Sequence, residues 1–242
     1  MRIVVLALIF SFSFLSFSFG FSLDDAQKDY LQGNYEGAIK KAAALRENPD
    51  NLYFLGLAHI KIGEYQRARG YFRKLIRRFP KSSLYEKGKV RLADTYFLQK
   101  EYENAFSLYT DIRKANFSSD NEPLILLRLA QITSRRGQWQ EKTKYINIIK
   151  SKYPRCPEMK FVKYLDSFGD FFTIQVGAFS ERKNALGLAD ELNQEYTTYI
   201  VEDKKDNFPI YKVRVGRYKK RFEAQKVSKN LLDKGYPARI YP

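Results

Sequence analysis

Between Leu23 and Pro154 apolar residues return every three or four positions, as in Leu55, Ala58, His59, Ile62 and then Ala68, Phe72, Leu75, Ile76. That interval follows the 3.6-residue period of an amphipathic helix, so helices are predicted along this stretch. Past Asp170 the interval falls to two. Thr173 and Gln175 alternate with Ile174 and Val176, and Lys212 and Arg214 alternate with Val213 and Val215, the mark of strands with one covered face. Helical spacing resumes in Ala185, Leu188, Leu192 and again in Ala224, Val227, Leu231. The chain is therefore predicted to be an all-α part followed by a mixed strand and helix part.

The helical part repeats itself. An aromatic follows a turn signal and precedes a small residue by three in Gly33-Asn34-Tyr35-Glu36-Gly37-Ala38, in Gly63-Glu64-Tyr65-Gln66-Arg67-Ala68 and in Lys100-Glu101-Tyr102-Glu103-Asn104-Ala105. Gly137-Gln138-Trp139 is a looser copy, with Lys142 where the small residue is expected. A second small residue lies nine before each aromatic: Ala26, Gly56, Ala93 and Ala130. Small residues let paired helices approach closely, the Gly or Lys ends the first helix of each pair, and Pro80 and Pro154 close their units. This pattern resembles the tetratricopeptide repeat over about four units, residues 23–154. The resemblance implies a short superhelix that binds another protein on its concave face. Residues 155–170 fit neither pattern and are expected to form a connector with room for a short helix.

The last part is doubled. Ile174 to Ala185 aligns with Val213 to Ala224 at a constant offset, which puts Val176 on Val215, Gly177 on Gly216, Phe179 on Tyr218 and Gln175 on Arg214. Two copies of strand, helix and strand predict a βαββαβ fold of the ferredoxin or RNP-like kind, a four-stranded antiparallel sheet with both helices on one face. Alternation sends Ile174, Val176, Ile200, Val213, Val215 and Ile240 to the helices. It sends Thr173, Gln175, Tyr199, Phe208, Ile210, Lys212, Arg214, Arg239 and Tyr241 to a face expected to be open. Phe208 belongs to that face only if the strand runs unbroken across Pro209.

Gln175-Val176-Gly177-Ala178-Phe179, Tyr211 to Gly216 and Gly235 to Ile240 together resemble the sporulation-related repeat, or SPOR, domain over residues 171–242. The resemblance implies a cell-envelope module that binds peptidoglycan glycan strands stripped of their stem peptides, as at division septa, on the open sheet face. Carried over by position, the glycan-binding set is Gln175, Ala178, Tyr199, Phe208, Ile210, Lys212, Arg214 and Arg239. Ala178 stands where several members have Ser, and Ile210 where some have an aromatic. A glutamine suits such a face because its amide both donates and accepts, whereas arginine only donates and a carboxylate only accepts.

Charge and composition narrow the alternatives. The chain has 242 residues, 43 Lys and Arg against 27 Asp and Glu, and a formal net charge of +16. Such a balance suits nucleic acid, anionic lipid or acidic partners alike. The dense basic segment from Arg67 to Arg91 is read as a solvated helix face. No charge occurs from Ile3 to Leu23, so residues 1–22 read as a signal peptide, cleaved near Gly20, or as an uncleaved membrane anchor. Either places the rest in the periplasm or envelope, and retention would attach it to a membrane. Cys156 is the single cysteine, so the fold rests on packing without an internal disulfide. The single histidine, His59, falls on a buried helical stripe, so no metal set or catalytic triad is expected and no cofactor is implied. A nucleic-acid sheet would carry a basic-Gly-aromatic-Gly-aromatic string on its third strand, and it is missing, so no nucleic acid is expected. The remaining readings are a noncatalytic protein that docks on glycan through its tail while the repeats hold a protein partner, or a scaffold for outer-membrane or division assembly whose tail only localises it.

Overall fold

The computed structural model describes residues 22–115, 119–206 and 208–242. The export segment expected over residues 1–22 lies outside them except for Ser22. Eight helices form four antiparallel pairs: α1 (Leu23–Leu31) with α2 (Tyr35–Ala43), α3 (Pro49–Lys61) with α4 (Tyr65–Arg78), α5 (Tyr85–Leu98) with α6 (Tyr102–Lys114), and α7 (Glu122–Arg136) with α8 (Trp139–Lys152). The second helix of each pair begins at the repeated aromatic. The turn before it contains Gly33, Gly63, Lys100 and Gly137, all with positive φ, between 64° and 84°. Three of the four are glycine because that backbone region is strained for any residue with a Cβ, and Lys100 bears the strain in the third unit. Ala26, Ala93 and Ala130 on the first helices, and Ala38, Ala68 and Ala105 on the second, are fully buried where helices meet. His59 is buried as expected, stacked on Tyr71 with its Nδ1 2.7 Å from Glu64 Oε2. Among the described residues no helix is long and apolar enough to cross a membrane.

The basic segment is exposed as expected at Arg67, Arg73, Arg77, Arg78, Lys81 and Lys87, and one residue, Arg69, departs from that reading. Arg69 is buried, its guanidinium carbon 3.7 Å from the Tyr96 ring centroid and its donors on Thr95 and Glu101. A packed α4–α5 contact therefore recruits one of the supposed surface cations.

The connector contains α9 (Met159–Asp166), whose Val162 and Leu165 pack with Leu126, Ile146 and Ile149 of the last pair. The chain then enters β1 (Phe172–Phe179), α10 (Arg182–Leu192), β2 (Thr198–Lys205), β3 (Phe208–Tyr218), α11 (Arg221–Asp233) and β4 (Arg239–Tyr241). The sheet order is β2-β3-β1-β4 and every pairing is antiparallel. Ile174, Val176, Val213 and Val215 form the core with Ala185, Leu192, Ala224 and Leu231 of α10 and α11, as the alternation requires.

Lys142, the residue that breaks the repeat, ties the two parts together. It replaces a buried alanine and is itself only 1% exposed. Its long chain carries the ammonium out to the Gly169 carbonyl at 2.8 Å and to Asp170 Oδ1 at 2.6 Å. Beside it the Trp139 and Phe172 rings meet at 4.9 Å, joining the start of α8 to the start of β1. A buried ammonium that loses its partner is costly, and here the partner that would remain, Asp170, is half exposed and can be rehydrated. Lys142→Ala is therefore expected to lower stability by roughly 2 kcal/mol. It should also speed limited proteolysis within residues 155–170, read by gel and mass spectrometry. Cleavage and melting equal to the parent would show that Lys142 does not hold the two parts together.

Candidate functional site

Strand register gathers half of the expected residues into one line. Gln175 on β1 pairs with Arg214 on β3 and, on its other side, with Arg239 on β4, while Arg214 pairs with Tyr199 on β2. Tyr199, Arg214, Gln175 and Arg239 thus form a row straight across all four strands. In the next row Ala178 pairs with Lys212, which pairs with Val201. The last β1–β3 pair is Phe179 with Tyr211, so Ile210 and Phe208 lie on a two-stranded extension of β2 and β3. The strand does run through Pro209, which pairs with Lys204, and Phe208 is 73% exposed. At about 3.3 Å per residue Phe208 nevertheless stands ~20 Å along the strand from Arg214, and the structure does not bring it to Gln175.

Several of these side chains are already engaged. Tyr199 donates its hydroxyl proton to Thr173 Oγ1 at 2.9 Å, and Thr173 is buried against the Val215 carbonyl. Lys212 forms an ion pair with Asp203. That hydrogen bond, with one from the Lys204 amide at 2.8 Å, holds the Asp203 carboxyl below the usual carboxylate range. The pair therefore forms at neutral pH and is lost as acidification carries Asp203 through its depressed pKa.

The expectation of an open face needs correction. Phe168, just past α9, lies on the sheet, parallel to the Tyr241 ring at 5.6 Å. The Arg214 guanidinium carbon sits 4.7 Å from the Phe168 ring centroid, and Arg214 is only 6% exposed, with its Nε buried and without a hydrogen-bond partner. Tyr164 of α9 meets Phe168 edge-on at 4.8 Å. The connector covers the middle of the face because Lys142 fixes its far end and α9 packs on the last helix pair. Among the described residues, Tyr164 and Phe168 border two cavities. One of about 550 Å³ is lined by Phe171, Tyr199, Asp203, Arg214 and Arg217, and one of about 480 Å³ by Phe97, Gln131, Arg135, Arg239 and Tyr241.

Comparison with known proteins accounts for both parts. Residues 169–240 match the SPOR domain model and residues 26–83 a tetratricopeptide repeat model. The chain carries tetratricopeptide repeats followed by a SPOR domain. SPOR domains bind peptidoglycan and tetratricopeptide repeats bind proteins. No curated protein matches the chain. Similar solved structures include PilF of Pseudomonas aeruginosa, from work titled as its functional characterization, at 19% identity and a TM-score of 0.44, covering 58% of this chain and 64% of that one. MamA from Desulfovibrio magneticus RS-1 is 17% identical, with a TM-score of 0.47 and coverage of 58% and 81%. YrrB, described as a TPR protein with an unusual peptide-binding site, is 12% identical, with a TM-score of 0.47 and coverage of 58% and 72%. The chain thus spans slightly less than two thirds of PilF.

The SPOR sheet also holds a residue that alternation assigns to the wrong side. Counting by twos from Arg214 would send Arg217 toward the helices. Between the pairs Ile174–Val215 and Phe172–Tyr218, however, β3 advances three residues while β1 advances two. The extra residue is a bulge at Gly216, with φ 65°. After it Tyr218 packs against the core and Arg217 emerges on the other face, its guanidinium carbon 4.9 Å from the Tyr199 ring and 5.0 Å from Phe171. The signal in the sequence was the glycine inside a strand. Tyr164 and Phe168 had no such signal, since only the tertiary docking of α9 brings them to the sheet.

Gly216 accordingly resists substitution. A Cβ there would lie 2.3 Å from the Tyr218 ring, and positive φ adds backbone strain. Gly216→Ala is expected to destabilise by about 2 kcal/mol or more in urea unfolding. Gly187→Ala, on α10 with open space around it, should be neutral or stabilising by up to about 1 kcal/mol. Equal stability of the two variants would contradict the bulge.

Proposed function

We propose that this protein is a noncatalytic envelope protein that docks on peptidoglycan glycan strands, stripped of stem peptides, through its SPOR sheet while its repeats hold a protein partner. The observation that supports this best is the cross-strand row. Gln175 is flanked by Arg214 and Arg239, with aromatic rings beside them, in a domain of a peptidoglycan-binding family. Sugars present apolar faces to rings and hydroxyl and acetamido groups to donors and acceptors, so an amide set among rings fits such a polymer. In this reading the protein works in the periplasm at the division septum, and residues 171–242 bring the repeats to their partner.

Cosedimentation with purified sacculi tests the proposal. The full chain is expected to bind more strongly after an amidase has removed stem peptides. Gln175→Ala should weaken binding about fivefold, the worth of roughly one hydrogen bond, and Lys212→Ala should weaken it through loss of its charge and of its pair with Asp203. Binding indifferent to both the amidase and the substitutions would contradict it.

A further inference from the structure

A third cavity, of about 280 Å³, lies among the repeats, and no described residue of the SPOR domain lines it. Thr110, Arg113 and Lys114 reach it from α6, Glu122 from α7, and Tyr145 and Lys152 from α8. Arg113, Lys114 and Lys152 stand in the last turns of their helices, where cations are ordinary because they suit the helix dipole. Helix ends do not account for the polar atoms beside them. Thr110 Oγ1 and Arg113 Nε are buried without hydrogen-bond partners, a condition that native folds allow to few groups. The Arg113 guanidinium carbon is 5.8 Å from the Tyr145 ring centroid, a contact with a π face that supplies no acceptor to Nε. Charge points the same way. None of the three cations forms an ion pair with a described residue. Glu122, the one carboxylate in the described lining, accepts the Tyr153 hydroxyl proton. That bond pushes the Tyr153 hydroxyl up to about 12, so the phenol remains a donor to Glu122 at neutral pH. Three cations against one carboxylate leave two positive charges without an answer.

We propose that this cavity binds a phosphoryl group, free phosphate or a phosphate monoester, with Arg113 Nε–H and the Thr110 hydroxyl donating to its oxygens and Lys114 and Lys152 neutralising its charge. A phosphoryl dianion matches the two residual charges, and its tetrahedral oxygens can meet donors from two helices at once. A carboxylate brings one charge and two coplanar oxygens, and it leaves one cation unanswered. The space suits a headgroup, being smaller than the sites that enclose drug-sized molecules. A lipid headgroup and a soluble phosphate ester present the same group to it. The site stands apart from glycan binding and does not depend on it.

The test titrates the full chain with inorganic phosphate and follows ¹H–¹⁵N chemical shifts. Binding is expected to saturate and to move the amides of residues 110–114 and of Lys152, while those of β1 to β3 stay in place. Acetate at equal ionic strength should bind about tenfold more weakly. Thr110→Val removes a buried hydroxyl that has no partner, so folding is not at risk, and it should weaken phosphate about fivefold, the worth of roughly one hydrogen bond. Lys152→Gln should weaken it by about as much, whereas Lys229→Gln, at an exposed cation on α11 outside the cavity, should change nothing. Phosphatidylcholine vesicles with and without phosphatidic acid separate the two sources. Cosedimentation that requires phosphatidic acid and weakens in Thr110→Val would assign the site to a lipid headgroup, and phosphate binding without it would assign the site to a soluble ester. Absence of saturable phosphate binding, equal affinity for acetate, or equal losses in Lys152→Gln and Lys229→Gln would overturn the site, the last by making net charge alone the binder.

Discussion

A single buried lysine sets how the two halves of this chain meet. Lys142 occupies a position that in the other three repeats is a fully buried alanine, and its ammonium finds its partners only after the chain has left the repeats, at Gly169 and Asp170. The ammonium cannot remain buried without them, so the start of the SPOR domain must lie against the end of the repeats. The Trp139–Phe172 contact adds apolar burial to the same junction. A cost comes with it. Arg221 is pushed below the usual arginine range by burial and by the like charge of Arg135, the two facing each other across this junction.

The consequences run along the connector. Since Asp170 is held and α9 packs on Leu126, Ile146 and Ile149, the segment between them has little freedom. It lays Phe168 over Arg214 and Tyr241, and the sheet face that would otherwise be broad and open becomes two bounded cavities. Repeats and SPOR sheet then share the smaller cavity, where Phe97, Gln131 and Arg135 face Arg239 and Tyr241. Under the proposed function, the glycan-binding sheet and the partner-binding repeats would thereby lie within reach of one another.

Local chemistry made much of this legible in the sequence. The four turns, the aromatics that start α2, α4, α6 and α8, the buried alanines and the doubled strand–helix–strand follow from periodicity and from residues with narrow backbone preferences. The register followed as well: Gln175 and Arg214, equivalent in the two copies, are also neighbours across β1 and β3. What escaped depends on contacts distant in sequence. Alternation cannot reveal that Arg214 is buried, because Phe168 comes from a connector with no strand pattern. It misplaces Arg217, because one bulge reverses the parity of everything after it. Lys142 was visible as an anomaly, but its meaning lay in a partner 28 residues further on.

The claim on which the rest depends is that the repeats and the SPOR domain form one body, with the connector seated on the sheet. Backbone ¹⁵N relaxation measures it directly. Amides in α3 to α8 and amides in β1 to β3 are expected to report one rotational correlation time, that of the whole chain. A distinctly shorter correlation time for the SPOR amides would mean that the domain tumbles on a loose tether, and would contradict the account.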